Sequence, residues 1–474
     1  MSGSDDLAFT STTELRTLIA GKQVSPVEVT ELYLQRIGRL DSKLNSYLTV
    51  TADQAMDSAR DAEAAMARGD DLGLLHGVPI SIKDLELTRG VRTTSGSVIF
   101  KDRVPTEDSI VVERVKAAGA VVLGKTNTPE FGLLGHTQNL LGDHCRNPWN
   151  TERTTGGSSG GAGAAVVAGL CSLATGSDGG GSIRIPASFC GVYGIKPTQH
   201  RVPMYGGAAS AAVFNMFSQS GPLTRTVADS ALLLQVMAGH DPRDAASLRD
   251  TPEDYVAATE RDVSGLRLAW SPDFGYGEVD PEVVDVASGA ARAFEGLGCE
   301  IGEADLVLNE PFEPFWTLFC GVVYGRYAAV MSEHRDELTD YARECLERGE
   351  ALSAVDYVLA LGYVDLLRAQ FADLFERYDL LLSPTMAVPA FPVGEPPAEI
   401  AGRGVDVFSG AFPFTYPINM IGYTAASVPC GRSADGLPIG LQIVGRPGDE
   451  ATVLAASAAF ERARPWADLR PPVS

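Results

Sequence analysis

Behind Ser25, apolar Val29, Leu32, Tyr33 and Ile37 recur at helical spacing. Ser25 stands where an N-cap belongs, Pro26 takes the first helical position and Glu28 completes a capping box. This is the clearest of three helices predicted at the start of the chain, the last being an alanine-rich run over 51–68 that stops at Gly69. From Gly77 the pattern changes to short apolar runs alternating with helices: 78–82, a helix over 108–118, 120–123, a helix over 162–169, 171–174 and a helix over 226–238. Repeated β and α elements of this kind predict an α/β protein, with a central, largely parallel or mixed sheet covered by helices on both faces.

Near Gly239 the chain turns polar over 241–260, then strand-like over 266–270, and continues as amphipathic helices to about Arg377. Strand-like 380–383 and 439–444 resume the earlier style. The expectation is a single domain over 1–474, with a core of about 70–240 and 378–474, N-terminal helices over 12–69 and a helical elaboration over about 241–377. No 20–50-residue repeat interrupts this reading.

Composition narrows the function classes. Hydrophobic residues make up 45% of the 474 and charged residues 21%, which suits a folded protein with a large core. The net charge of −23 repels phosphate backbones and anionic bilayers, so neither nucleic acid nor membrane is expected as a partner. Seven cysteines stand singly at 145, 171, 190, 299, 320, 345 and 430, without a Cys-x-x-Cys pair, as expected of buried thiols in a reducing cytoplasm. The first residues lack the basic and apolar regions of a secretory signal, and no apolar run reaches membrane-spanning length. A cytoplasmic protein is expected. The six histidines include no pair at metal-ligand spacing with carboxylate support, so no metal is expected.

Chemistry concentrates in two glycine-flanked serines and one lysine. Ser158 lies in Gly156-Gly157-Ser158-Ser159-Gly160-Gly161, Ser182 in Gly179-Gly180-Gly181-Ser182-Ile183-Arg184, and Lys83 ends the apolar run 78–82. Glycines allow tight turns that expose a serine and its neighbouring N–H groups. A helix leaving Ser158 carries the chain roughly 12 Å away, and a strand from Cys171 brings it back roughly 17–20 Å, so Ser182 can return beside Ser158. A lysine buried among apolar groups loses affinity for its proton and can serve as base to a serine. Consecutive N–H groups at Gly179, Gly180, Gly181 and Ser182 can hold the oxyanion of a tetrahedral intermediate. On these grounds the chain reads as a serine hydrolase with either serine eligible as nucleophile.

These stretches resemble the amidase signature family. The resemblance extends to Gly176-Ser177-Asp178-Gly179-Gly180-Gly181-Ser182-Ile183-Arg184-Ile185-Pro186, to Gly124-Lys125-Thr126-Asn127, to Gly194-Ile195-Lys196-Pro197-Thr198 and to the run from Gly436 to Gly445, and covers about residues 12 to 466. It implies that Ser182 is the nucleophile, that Ser158 is a bridging serine after a cis peptide bond, and that Lys83 is the base. Ser159, Asp178 and Arg184 are assigned supporting parts by the same resemblance. It implies a mixed twisted sheet, no cofactor or metal, and a small-molecule substrate: a carboxamide, with esters and carbamates within the family's range. A monomer or homodimer is expected. Many relatives carry threonine or a bulkier residue where this chain has Gly179, which loosens one rim of the oxyanion site.

Three other readings stay in view. One is a glutamine-hydrolysing subunit of a transamidation complex. A second takes Gly156-Gly157-Ser158-Ser159-Gly160 as the nucleophile elbow of an α/β-hydrolase, although the residues before it are loop-like. A third takes 119–126 as a phosphate loop, although its Ala-Val-Val-Leu interior belongs in a strand. Pocket loops are expected in 130–145, 200–220 and 310–330. Phe214, Phe217, Phe312, Phe315, Trp316 and Phe319 are read first as core, with an apolar substrate pocket as the alternative.

Overall fold

The computed structural model describes residues 4–70, 72–205, 207 and 217–474. Among them an eleven-stranded sheet runs Tyr47–Val50, Val121–Thr126, Pro79–Lys83, Leu173–Asp178, Gln219–Thr224, Tyr193–Lys196, Thr424–Arg432, Pro438–Gly445, Leu380–Pro384, Arg267–Trp270 and Glu300–Glu303. Pro79–Lys83 pairs in parallel with both of its neighbours, and Arg267–Trp270 does the same near the far edge. The strands between them are antiparallel. The sheet is mixed, as expected.

Period-two alternation sorts the two faces. Ile80, Ile82, Leu380, Leu382, Ala426 and Ile443 join one core, against the helices Val227–Met237 and Glu450–Ala463, while Leu381, Ala425 and Val444 join a second core on the other side. Alternation also decides where Lys83 goes. With Ile80 and Ile82 facing one core, Ser81 and Lys83 face the opposite side, where Ser81 Oγ lies 2.6 Å from the Tyr47 hydroxyl and where Val121, Leu123 and the helix Gly160–Val167 form a third core. Buried on both faces, the strand reads as a nearly continuous apolar run, which is why it was visible in the sequence.

The helices Pro26–Leu44 and Ala52–Arg68 begin and end where their caps predict. The Ser25 side chain accepts the N–H groups of Val27 and Glu28, the Glu28 carboxylate returns to the Ser25 N–H, and Gly69 closes the second helix with φ of 78°. Between them, Tyr47–Val50 is a four-residue edge strand that the helical reading of 12–69 did not contain. Arg267–Trp270 falls on the strand-like run 266–270, Glu300–Glu303 was not read from the sequence, and both extend the main sheet, so 241–377 contributes strands as well as helices. Short edge strands such as 300–303 carry too few residues to show a period. The longest helices of that segment are Pro281–Ala291, Phe312–His334, Asp340–Ala351 and Ala354–Arg377. No helix among the described residues is long and apolar enough to cross a membrane.

Candidate active site

Lys83 ends its strand fully buried, and its Nζ finds four oxygens: Ser158 Oγ and Ser159 Oγ at 2.8 Å, Ser177 Oγ at 3.0 Å and the Ser177 carbonyl at 3.2 Å. Its own N–H donates to Thr175 Oγ1 at 3.0 Å, which fixes the strand end against the strand Leu173–Asp178. Burial pushes the Lys83 ammonium down to about 7, with the Asp178 and Glu86 carboxylates opposing the shift. A lysine in this state holds its proton only weakly at neutral pH.

Ser158 and Ser159 precede the helix Gly160–Val167, and the Gly157–Ser158 peptide bond is cis, as the resemblance implies. Glycines here answer to crowding: a Cβ at Gly160 would lie 2.3 Å from both Thr137 Oγ1 and Thr155 Oγ1, and one at Gly161 2.3 Å from the Asn127 N. Ser159 N–H donates to the Ser182 carbonyl at 3.1 Å, tying the two serine loops together. Ser158, Ser177 and Ser182 all open onto one cavity.

The loop carrying Ser182 is organised by Asp178. Its carboxylate accepts the N–H groups of Gly181 (2.7 Å), Ile183 (3.2 Å) and Arg184 (3.4 Å), and pairs with the Arg184 guanidinium through two contacts of 3.0 Å. Burial alone would push this carboxyl up. Arg184, Lys196 and the Asn419 amide more than offset it and hold the carboxyl well below its usual range. Arg184 also donates to Gln442 Oε1 at 2.7 Å and Asn419 Oδ1 at 2.6 Å. The buried charges are therefore paired and their hydrogen bonds satisfied.

This arrangement corrects the expected donor set. The Gly181 N–H is taken by Asp178, so it is not available to an oxyanion. Among the described residues, the N–H groups of Gly179, Gly180 and Ser182 have no protein acceptor. Thr415 Oγ1 donates to the Gly180 carbonyl at 2.6 Å and so helps to hold that peptide in place.

The cavity measures about 790 Å³. The loops expected to line it contribute Phe131 to Gly135, His200, Pro203 to Tyr205, Phe217, Ser218 and Ser220, and the helix Phe312–His334 adds Phe315, Trp316, Phe319 and further residues to Tyr327. Phe315 stacks on Tyr416 with ring centroids 5.1 Å apart and meets Phe217 at 5.8 Å. Of the aromatic residues singled out in the sequence, Phe217, Phe315, Trp316 and Phe319 face the cavity, Phe312 packs against Trp316 behind it, and Phe214 lies outside the described residues. Core and pocket prove to be one cluster, since Phe217, Phe315 and Trp316 are also nearly buried. His136 is buried and its imidazole pushed down to about 4, leaving it neutral. The stretch 119–126 forms the strand Val121–Thr126, which removes the phosphate-loop reading.

Sequence reasoning missed Thr415, Asn419 and Phe412, whose positions carry no local motif, and did not single out Ser177 or Gln442 within the stretches that contain them. It also missed the cavity walls at Leu85 to Leu87, Ile110 and Asp244 to Ala246.

The chain is similar to known proteins over most of its length. The model of the Amidase family matches residues 28–454. An acylamidase of Rhodococcus erythropolis is 40% identical over 476 residues, 98% of each chain. A subunit of the glutamyl-tRNA(Gln) amidotransferase of Moorella thermoacetica is also 40% identical, over 98% of this chain and 99% of the relative. Among solved structures, a bacterial aryl acylamidase of the amidase signature family superposes with a TM-score of 0.90 at 33% identity, covering 97% of each chain. A 6-aminohexanoate cyclic dimer hydrolase complexed with substrate gives 0.89 at 29% identity, covering 98% of this chain and 99% of the other. The chain is a member of the amidase family, an amide-hydrolysing enzyme of the α/β class.

Proposed function

We propose that the enzyme cleaves amides through an acyl-enzyme on Ser182, with Ser158 as proton bridge and Lys83 as base. The observation that carries this reading is the 2.8 Å contact between Lys83 Nζ and Ser158 Oγ, in a fully buried site that lowers the lysine's affinity for a proton. A neutral amine has two N–H groups and one lone pair. The Ser177 carbonyl can only accept, so it takes one N–H, and Ser159 Oγ takes the other. The lone pair is left for a hydroxyl, and the shorter of the two remaining contacts is to Ser158 Oγ at 2.8 Å, against 3.0 Å to Ser177 Oγ.

In the first half-reaction Ser182 Oγ bonds to the substrate carbonyl carbon as its proton passes to Ser158 Oγ and the Ser158 proton passes to Lys83. The oxyanion is held by the N–H groups of Gly179, Gly180 and Ser182, each worth about 3–4 kcal/mol in favourable cases. The C–N bond then breaks, and Lys83 returns the proton through Ser158 to the leaving nitrogen. Water repeats the sequence on the acyl-enzyme and releases the acid. Esters and carbamates fit the same acyl transfer.

The aromatic lining and the size of the cavity favour an amide bearing an aryl or bulky apolar group. The test is hydrolysis of 4-nitroanilides combined with labelling by a fluorophosphonate. Turnover by the wild type, with label found on Ser182, is expected; undiminished turnover by Ser182→Ala would reject the assignment. A glutaminase subunit is the second reading, favoured by the 40% identity to the amidotransferase subunit. Free glutamine leaves most of a 790 Å³ cavity empty. Strong glutaminase activity of the isolated chain would reverse the preference.

A further inference from the structure

Four charged side chains line the cavity among the described residues: Glu86, Arg243, Asp244 and Arg326. Three are engaged within the protein. Glu86 accepts the Ser220 hydroxyl at 2.7 Å, and Arg243 pairs with Glu113 at 2.6 Å and with Asp241 at 2.9 Å. Asp244 accepts the N–H groups of Met204 (2.9 Å) and Ala246 (3.1 Å). The guanidinium of Arg326 has no hydrogen bond or ion pair with a described residue, in a chain whose net charge is −23.

Its position relative to Ser182 follows from the helix that bears it. Phe315, Phe319, Val322, Val323 and Arg326 all line the cavity and recur at helical spacing, so they share one face of Phe312–His334. At the near end, Phe315 abuts the Ser182 loop: a Cβ added to Gly180 would lie 2.9 Å from Phe315 Cζ. Eleven residues later the Arg326 backbone is roughly 16 Å further along the axis, and a helical side chain leans back toward the N-terminus, bringing the guanidinium to roughly 10 Å. Between the two ends the wall is apolar.

Arg326 is exposed where it meets the cavity, so a neutral apolar substrate leaves the guanidinium in water and gains nothing from it. A substrate that brings a carboxylate supplies a charge-assisted partner in the planar geometry arginine suits. We propose that Arg326 determines specificity by receiving a carboxylate at the far end of the amide substrate, joined to the scissile group by an apolar linker about as long as three extended residues. The inference rests on the amide-hydrolase reading above and adds the substrate's charge and length to it.

The test compares two pairs of anilides: the 4-nitroanilide of octanoic acid against that of suberic acid, and acetanilides with a neutral against a carboxylate-ended alkyl chain on the ring. In at least one pair the carboxylate should lower KM roughly threefold to tenfold with little change in kcat. The advantage should shrink at high salt, weaken in Arg326→Lys, which keeps the charge without the planar fork, and reverse in Arg326→Glu. Equal KM values within both pairs, unaltered by Arg326→Glu, would overturn the assignment while leaving the hydrolase reading standing. Failure of the wild type to hydrolyse any of the four would overturn the inference, and if fluorophosphonate also left Ser182 unlabelled, the amide-hydrolase reading would fall with it.

Discussion

Asp178 and Arg184 form a fully buried ion pair, Nε to Oδ2 at 3.0 Å and Nη2 to Oδ1 at 3.0 Å, and Ser182 is carried on the turn between them. The same carboxylate holds the N–H groups of Gly181 and Ile183, so the pair sets the path of the backbone on both sides of the serine. Arg184→Met leaves the Asp178 charge buried and unpaired. It is expected to lower stability by about 3–5 kcal/mol in denaturant titration. Adding Asp178→Asn should cost less than the sum of the two changes, because the residues share one network. Simple additivity would contradict the coupling.

Ser182→Ala and Lys83→Met should each reduce kcat at least about 10⁴-fold, and the double variant should be little worse than the poorer single one, as residues acting as a unit are not additive. Lys83→Met retaining more than a tenth of wild-type turnover would remove it as the base.

The lowered affinity of Lys83 for its proton gives a direction to the pH profile. Below about 7 the lysine is protonated and cannot accept from Ser158, so kcat/KM should rise through pH 7 with a slope of about one. A profile flat from pH 5 to 9 would be the contrary result.

Stability should follow pH in the same sense. Lys83 and Lys196 are both pushed down to about 7, mainly by burial, from an ordinary value of 10.5. Between these values the unfolded chain binds more protons than the folded one, so stability rises with pH; the cost of burying the charges is fully present below about 7 and is relieved above it. Tm should therefore increase between about pH 7 and 7.5, below the range in which the seven cysteine thiols of the unfolded chain, ordinarily at about 8.5, ionise appreciably. Lys196→Met should flatten that slope in calorimetry.

Two neighbouring glycines should respond in opposite ways. A Cβ at Gly179 meets Phe319 at 3.5 Å and Ser218 at 3.6 Å, ordinary contact distances, so Gly179→Ala should be tolerated and raise stability by about 0.4–1 kcal/mol through the unfolded chain. At Gly181 φ is 130° and a Cβ would lie 2.4 Å from Thr415 Oγ1. Gly181→Ala should lower stability by about 1–3 kcal/mol and reduce kcat with it. Equal melting temperatures for the two variants would refute this account.

Motifs and periods made much of this legible before any tertiary structure. The capping box at Ser25, the strand ending at Lys83, the helix after Ser158 and the apolar run before Ser182 each depend on neighbours within a few residues, and local chemistry of that kind is written in the chain. The sequence also held the candidate serines and lysine, because glycine-flanked serines and a lysine closing an apolar strand are unusual without a reason. Contacts between distant residues decided the rest. Asn419 and Gln442 reach Arg184 across more than 230 positions, and the aromatic wall comes from a helix over 130 positions beyond Ser182. Even the oxyanion donors were sorted this way: four consecutive N–H groups look alike in sequence, and the turn around the Asp178 carboxylate, stabilised by Arg184, claims the one at Gly181. Local pattern determined which groups are present, and packing of the whole chain determined which are engaged, buried or open to a substrate.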